Sequence, residues 1–117
     1  MALTAGDWRF SGGPTARADY GEESAAAFSL RCDAPQRRIL LVRTGAAAGS
    51  RITVRTTFAA RVLEVGEGGA SMLSAADAFL DGLVSSRGRI AIEAAGLPAL
   101  ILPTWPEPAR VVEECRD

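Results

Sequence analysis

Histidine and lysine are both missing from the 117 residues, so all thirteen basic side chains are arginine. Without histidine there is no Ser-His-Asp or Cys-His nucleophile pair, no imidazole general base and no ordinary His-containing zinc site. Without lysine there is no Schiff base and no lysine-bearing phosphate loop. The arginine bias, the many alanines and the missing lysine also fit a GC-rich genome. No apolar run approaches the roughly 18 residues that span a bilayer; the best are Leu97 to Pro103 and Ile39 to Val42. A formal net charge of -1 argues against a nucleic-acid partner, because such binders carry a strongly basic balance. No cofactor, metal or membrane span is therefore expected.

Cysteine is scarce. Cys32 and Cys115 lie far apart and form no CxxC redox or metal pair. Bonded to each other they would close a loop of about eighty residues, worth on the order of 4 kcal/mol in the chain-entropy model. Such a bridge would also hold a C-terminal end that otherwise frays. It implies an oxidising compartment, whereas two reduced buried thiols imply the cytosol. The opening MALTAGDW has neither a basic n-region nor an apolar h-region, so it does not read as a signal peptide. It fits a mature fragment carrying an added Met1.

What is present is a folding composition: 48% hydrophobic and 23% charged residues suit a globule with a core rather than a disordered chain. The length suits one domain over residues 1–117. Most segments alternate with period 2, the strand signature. DWRF (Asp7 to Phe10) closes at SGGP, and ARADY (Ala16 to Tyr20) follows. From Ala26 to Cys32 the residues Ala26, Phe28, Leu30 and Cys32 share one face, which points Cys32 inward. RRILLVRT (Arg37 to Thr44) is more continuously apolar and reads as a central strand. RITVRTTF places Ile52, Val54, Thr56 and Phe58 inward, with Arg51, Thr53 and Arg55 outward. RVLEV (Arg61 to Val65) is its expected hairpin partner, joined through Ala-Ala, and GEGGA then breaks the pattern.

One helix is expected at about residues 75–85, with Ser74 as N-cap and Asp77 three residues on, an approximate capping box. Ala76, Phe79, Leu80, Leu83 and Val84 form its apolar stripe. Gly88 is expected to end that helix, with Arg87 capping the last carbonyls and Arg89 the first outward residue of a strand. Ile90, Ile92 and Ala94 alternate inward, and ALILP follows a turn. TWPEPARVVEECRD reads as a short C-terminal helix with Thr104 as cap and Val111, Val112 and Cys115 on its inner face. Trp8 and Trp105 are expected as core anchors. The sum is a mainly β domain, a small antiparallel sandwich or partly open barrel, carrying one packed helix and a short C-terminal helix.

Carboxylates are the only acid–base groups left, and Glu22-Glu23, Asp77-Asp81 and Glu113-Glu114 are the candidates. Glycosidase chemistry wants two carboxylates about 5 to 9 Å apart across a cleft, usually from different elements, and no spacing here identifies such a pair. GGASMLS and VSSRG are not the GxSxG elbow, and GEGGA reads as a surface loop. No catalytic residue is nominated. The arginines supply the binding candidates: Arg51 and Arg55 from one strand face, with Arg31 or Arg43 on neighbouring strands, and Arg87 and Arg89 around Gly88. Guanidinium forks suit phosphate, carboxylate or sulfate, while outward arginines on strands also pair with cross-strand acids.

FSLRC (Phe28 to Cys32), the FLDGL helix (Phe79 to Leu83), GRIAIEAAGLPAL (Gly88 to Leu100) and the late Cys115 together resemble an uncharacterised family of exported alphaproteobacterial domains. More distantly the pattern is similar to the invasion-associated locus B family and to periplasmic proteins associated with type VI secretion. The WPEPARVVEEC ending departs from those distant families. The resemblance implies a β-sandwich, export to the periplasm and a non-enzymatic role, with no catalytic motif to carry over. The expected function is thus an exported binding or structural module of the bacterial envelope, partnered by another protein or an envelope component. The rivals are a small carboxylate-dependent hydrolase and an intracellular, cytoplasmic regulatory domain that binds an anion through its arginines.

Overall fold

Alternation of apolar and polar residues builds nine strands in the computed structural model, which describes residues 2–13, 15–23 and 25–116. In chain order they are β1 (Asp7–Ser11), β2 (Arg17–Glu22), β3 (Ala25–Asp33), β4 (Arg38–Arg43), β5 (Arg51–Arg55), β6 (Ala60–Glu64), β7 (Ala70–Ser74), β8 (Arg89–Ala94) and β9 (Leu100–Pro103). Helix α1 (Ala78–Val84) lies between β7 and β8, and α2 (Pro106–Arg116) closes the chain. The strands form two open antiparallel sheets, ordered β1-β2-β3-β4-β7 and β6-β5-β8-β9. The sheets enclose a shared core without closing into a full barrel, and at the outer edge of β9 the Thr4 amide donates to the Ile101 carbonyl at 2.8 Å. Among the described residues no helix is long and apolar enough to cross a membrane.

Period 2 decides what each sheet buries. The register aligns Trp8, Tyr20 and Phe28 across β1, β2 and β3, and Cys32, Ile39 and Leu73 across β3, β4 and β7. All six belong to the core, as do Ile52, Val54, Ile90, Ile92, Leu100 and Leu102 of the second sheet. β4 is central, between β3 and β7, and buries Val42 on the opposite face as well as Ile39 and Leu41. Val111, Val112 and Cys115 of α2 complete the core against the first sheet. The hairpin of β2 and β3 shifts register at Gly21, where a Cβ would stand 2.1 Å from the Ala25 carbonyl oxygen. Only glycine fits that bulge.

Several local expectations give way to tertiary structure. β5 ends at Arg55, and Thr56 to Ala59 form a turn in which the Thr56 amide donates to the Ala59 carbonyl at 2.8 Å. The Thr56 hydroxyl oxygen accepts from the amides of Phe58 and Ala59, each at 3.1 Å. The chain therefore reverses before Phe58 reaches the inner face, and Phe58 is 63% exposed rather than buried. The hairpin with β6 forms through these four residues instead of Ala-Ala. After the glycines, β7 is a strand that sequence reasoning missed: Ser71 and Leu73 face in, but serine at an inward position hides the alternation.

Helix α1 starts later than expected because Ser74 closes β7. Asp77 is the N-cap, its carboxylate accepting from the Phe79 amide at 2.8 Å. Leu80 and Leu83 are buried, Phe79 and Val84 half-buried, and Ala76 lies outside the helix and exposed. The helix closes at Ser85, whose amide donates to the Asp81 carbonyl at 3.1 Å. Gly88 does adopt a left-handed φ of 81°, but three positions further on. Thr104 does not cap α2; its hydroxyl donates to the Gly88 carbonyl at 3.2 Å. Trp8 is a core residue, packed edge-on to Tyr20 with ring centroids 5.3 Å apart. Trp105, in contrast, is 41% exposed.

Candidate functional site

The two cysteines that the sequence separates are brought together: Cys32 on β3 is bonded to Cys115 in the last turn of α2, with Cα atoms 5.4 Å apart. The inward face of β3 and the inner face of α2 meet there, which is where period 2 and period 3.6 place the two side chains. The bridge joins the C-terminal helix to the middle of the first sheet across 83 positions.

Beside the bridge lies an open cleft of about 450 Å³, whose walls include Arg37, Ser74, Ala75, Asp81, Cys115 and Arg116. The Cys115 sulfur lies 3.4 Å from the Arg38 carbonyl oxygen, next to Arg37 in the wall. Arg37 follows a short 3-10 turn (Ala34–Gln36) and takes a left-handed backbone with φ 49°. Its amide donates to the Ala34 carbonyl at 3.0 Å. Arg116 is held in place by two acceptors: Nε donates to the Ala75 carbonyl at 2.7 Å and a terminal nitrogen to Asp81 at 2.7 Å. That hydrogen bond holds the Asp81 carboxyl below the usual carboxylate range. Among the described residues, the charged groups of its walls are Arg37, Arg116 and Asp81, the last two paired with each other. Cys32 borders a different cleft, of about 400 Å³, whose walls include Arg31, Asp33 and Leu40. Those three belong to the outer face of the sheet, whereas the Cys32 side chain alternates inward.

The arginines nominated from sequence do not converge. Arg51 and Arg55 project from the outer face of β5, but Arg51 stands opposite Glu64 in the register, and Arg55 pairs with Glu93 of β8 at 2.7 Å. Arg89 opens β8 opposite Pro103 and is itself partnered. The outer face of the second sheet therefore alternates charge, the pattern of cross-strand pairing. Arg87 lies in the loop after α1, and it does not cap the helix carbonyls. Its amide donates to the Thr57 hydroxyl at 2.7 Å, and its carbonyl accepts from that hydroxyl at 2.9 Å. Arg31 and Arg43 belong to the other sheet. Arg43 is buried, donating to the carbonyls of Thr44 and, at 2.9 Å, Pro98. Burial lowers its pKa from the ordinary guanidinium value.

The carboxylates are likewise dispersed. Asp77 pairs with Arg61 at 2.9 Å, Asp81 with Arg116, and Glu22, Glu23, Glu113 and Glu114 are exposed. Sequence reasoning missed Arg37 and Arg116 as wall residues of the cleft. The only signal was their closeness in sequence to β4 and Cys115, which needs the Cys32–Cys115 contact to acquire meaning. The class that the geometry defines is an open-sheet antiparallel β fold stapled by a disulfide to its C-terminal helix. No family model, curated protein or solved structure matches the chain.

Proposed function

We propose that the protein is an exported binding or structural module of a bacterial envelope, acting without chemistry of its own on another protein or an envelope component. The observation that carries this reading is the Cys32–Cys115 bond. Disulfides of this kind persist in oxidising compartments such as the periplasm and are rare in the cytosol. The likeness of FSLRC, FLDGL and GRIAIEAAGLPAL to exported alphaproteobacterial domains supports the same compartment. Strands pinned by a buried bridge and edged by charged pairs suit a rigid binding scaffold.

The test is fractionation of Gram-negative cells that express the complete gene, with alkylation of the protein before and after reduction. The expected result is a periplasmic protein whose two cysteines take up the reagent only after reduction. A cytoplasmic protein with both thiols alkylated at once would overturn the reading.

A further inference from the structure

The second sheet ends on one side at β6, and the residues of that edge match a second copy of themselves. We propose that β6 is a dimerisation strand: two copies of this chain join antiparallel along it, about a two-fold axis at Val62, and their second sheets run together into one. This reading is independent of the compartment proposed above and rests on strand geometry.

β6 has a hydrogen-bonded neighbour on one side only, β5, whereas the outer edge of β9 at the other end of the sheet is already met by Thr4. Among the described residues no hydrogen bond joins β6 to β7. The ladder to β5 fixes which groups are left over. The Val65 amide donates to the Ser50 carbonyl at 2.9 Å and the Thr56 amide to the Ala59 carbonyl at 2.8 Å, one at each end of the pair. Bonded and non-bonded pairs alternate along an antiparallel ladder, so between those ends Leu63 and Arg61 exchange their bonds with Ile52 and Val54. Ala60, Val62 and Glu64 therefore turn their amides and carbonyls away from β5. Edge strands of monomers usually carry a charge, a proline or a bulge at such a place. Here the middle residue is Val62, 59% exposed, and Phe58 in the turn before the strand is 63% exposed.

A second copy is the occupant that this edge fits. With the axis at Val62, that residue meets Val62 of the second copy, and Ala60 and Glu64 meet each other across the seam, so every outward-turned amide and carbonyl of β6 finds a partner. On the outer face the row at the axis reads Thr53, Val62, then Val62 and Thr53 of the second copy. The flanking row reads Arg55, Ala60, then Glu64 and Arg51 of the second copy, so each glutamate lies between an alanine and the arginine opposite it in its own chain. On the inner face Arg61, already held by Asp77, stands opposite Leu63 of the second copy. Moving the axis to Arg61 or to Glu64 sets like charges against each other and leaves part of the edge unpaired. Charge and hydrogen bonding thus select the same register. A contact of this kind is isologous and closes at two copies.

The test is analytical ultracentrifugation of the purified oxidised protein from about 1 µM to about 1 mM, which covers the weak range of a small interface, with amide hydrogen exchange at both ends of the series. The weight-average mass is expected to rise from that of one chain towards twice that value. Over the same series the amides of Val62 and Glu64 should gain protection, while those of Arg61 and Leu63, bonded to β5, stay protected throughout. Val62→Lys sets two ammonium groups face to face at the axis, and Val62→Pro removes a donor that β5 does not use. Both variants should keep the mass of one chain at every concentration, with Arg61 and Leu63 still protected. A single-chain mass in the unaltered protein up to the highest concentration would leave the edge to a different partner and overturn the proposal. A dimer that survives both substitutions, or protection gained at another strand edge instead, would also overturn it. The exchange pattern of the unaltered protein keeps the test decisive if the variants fold poorly.

Discussion

The indole Nε1 of Trp8 donates to the carbonyl of Pro103 at 2.9 Å, tying the edge strand β1 of one sheet to the last residue of β9 in the other. The two residues are 95 positions apart, and the bond is buried. It closes the two open sheets at one side of the core.

Replacing Trp8 by Phe keeps an aromatic ring but removes this donor and leaves the Pro103 carbonyl without it. A loss of about 2 kcal/mol is expected, from an unsatisfied buried acceptor and a smaller side chain. Urea unfolding followed by fluorescence or circular dichroism measures it. A midpoint unchanged from the parent would show that the bond contributes nothing net.

The bridge closes a loop of 83 positions, for which the chain-entropy model gives about 4 kcal/mol. The double substitution Cys32→Ala and Cys115→Ala is expected to lose that much. The denaturant slope should rise, because the unfolded chain becomes less compact. Hydrogen exchange would show the loss spread over the whole fold if the effect lies in the unfolded state. Protection lost only from α2 would place it in local fraying instead.

Asp77 does two jobs, capping α1 through the Phe79 amide and pairing with Arg61. Asp77→Asn keeps a competent cap and loses the ion pair, for an expected cost under about 1 kcal/mol. Asp77→Ala loses both, for about 1 to 2 kcal/mol. Equal costs for the two variants in chemical denaturation would assign the effect to Arg61 rather than to the cap.

Asp19 sets an acid limb of stability. Its partial burial works to raise its pKa, but hydrogen bonds from Arg17, at 2.8 and 2.9 Å, and from Ser29 outweigh that and leave the carboxyl below its ordinary value. A depressed carboxylate stabilises the fold above its unfolded pKa of about 4, and the contribution disappears as pH falls through the lower folded value. The thermal midpoint is therefore expected to fall less steeply below about pH 4 in Asp19→Asn than in the parent. Parallel acid limbs in the two proteins would show that Asp19 carries none of the slope.

Local rules made much of the fold legible. Alternation in FSLRC, RITVR and RIAIEA marked the strands and the residues they bury, because a side chain's face in a strand depends only on its parity, and the continuous apolar run of RILLVR marked a strand buried on both faces. Helical spacing in PARVVEEC set Val111, Val112 and Cys115 on one face, and β3 set Cys32 inward, so both ends of the bridge were aimed at a core before any contact was known. Parity does not say which strand lies beside which. That choice belongs to long-range backbone pairing, which separated Arg51 from Arg31 and Arg43, gave Arg55 to Glu93, and recruited the serine-bearing β7 beside β4. Turn hydrogen bonds at Thr56 kept Phe58 out of the core, and the Thr57 hydroxyl holds the backbone of Arg87 in the loop beyond the helix.

The candidate site was the least legible part. The sequence by itself determined two inward cysteines, the strand faces, the helix stripes and the absence of imidazole and amine chemistry, since each follows from residue type and local period. Only the tertiary structure decided that Arg37, Asp81, Cys115 and Arg116 would share one cleft. The start of β4, the first turn of α1 and the last turn of α2 are far apart along the chain, and they meet because all three bury apolar neighbours in the same core.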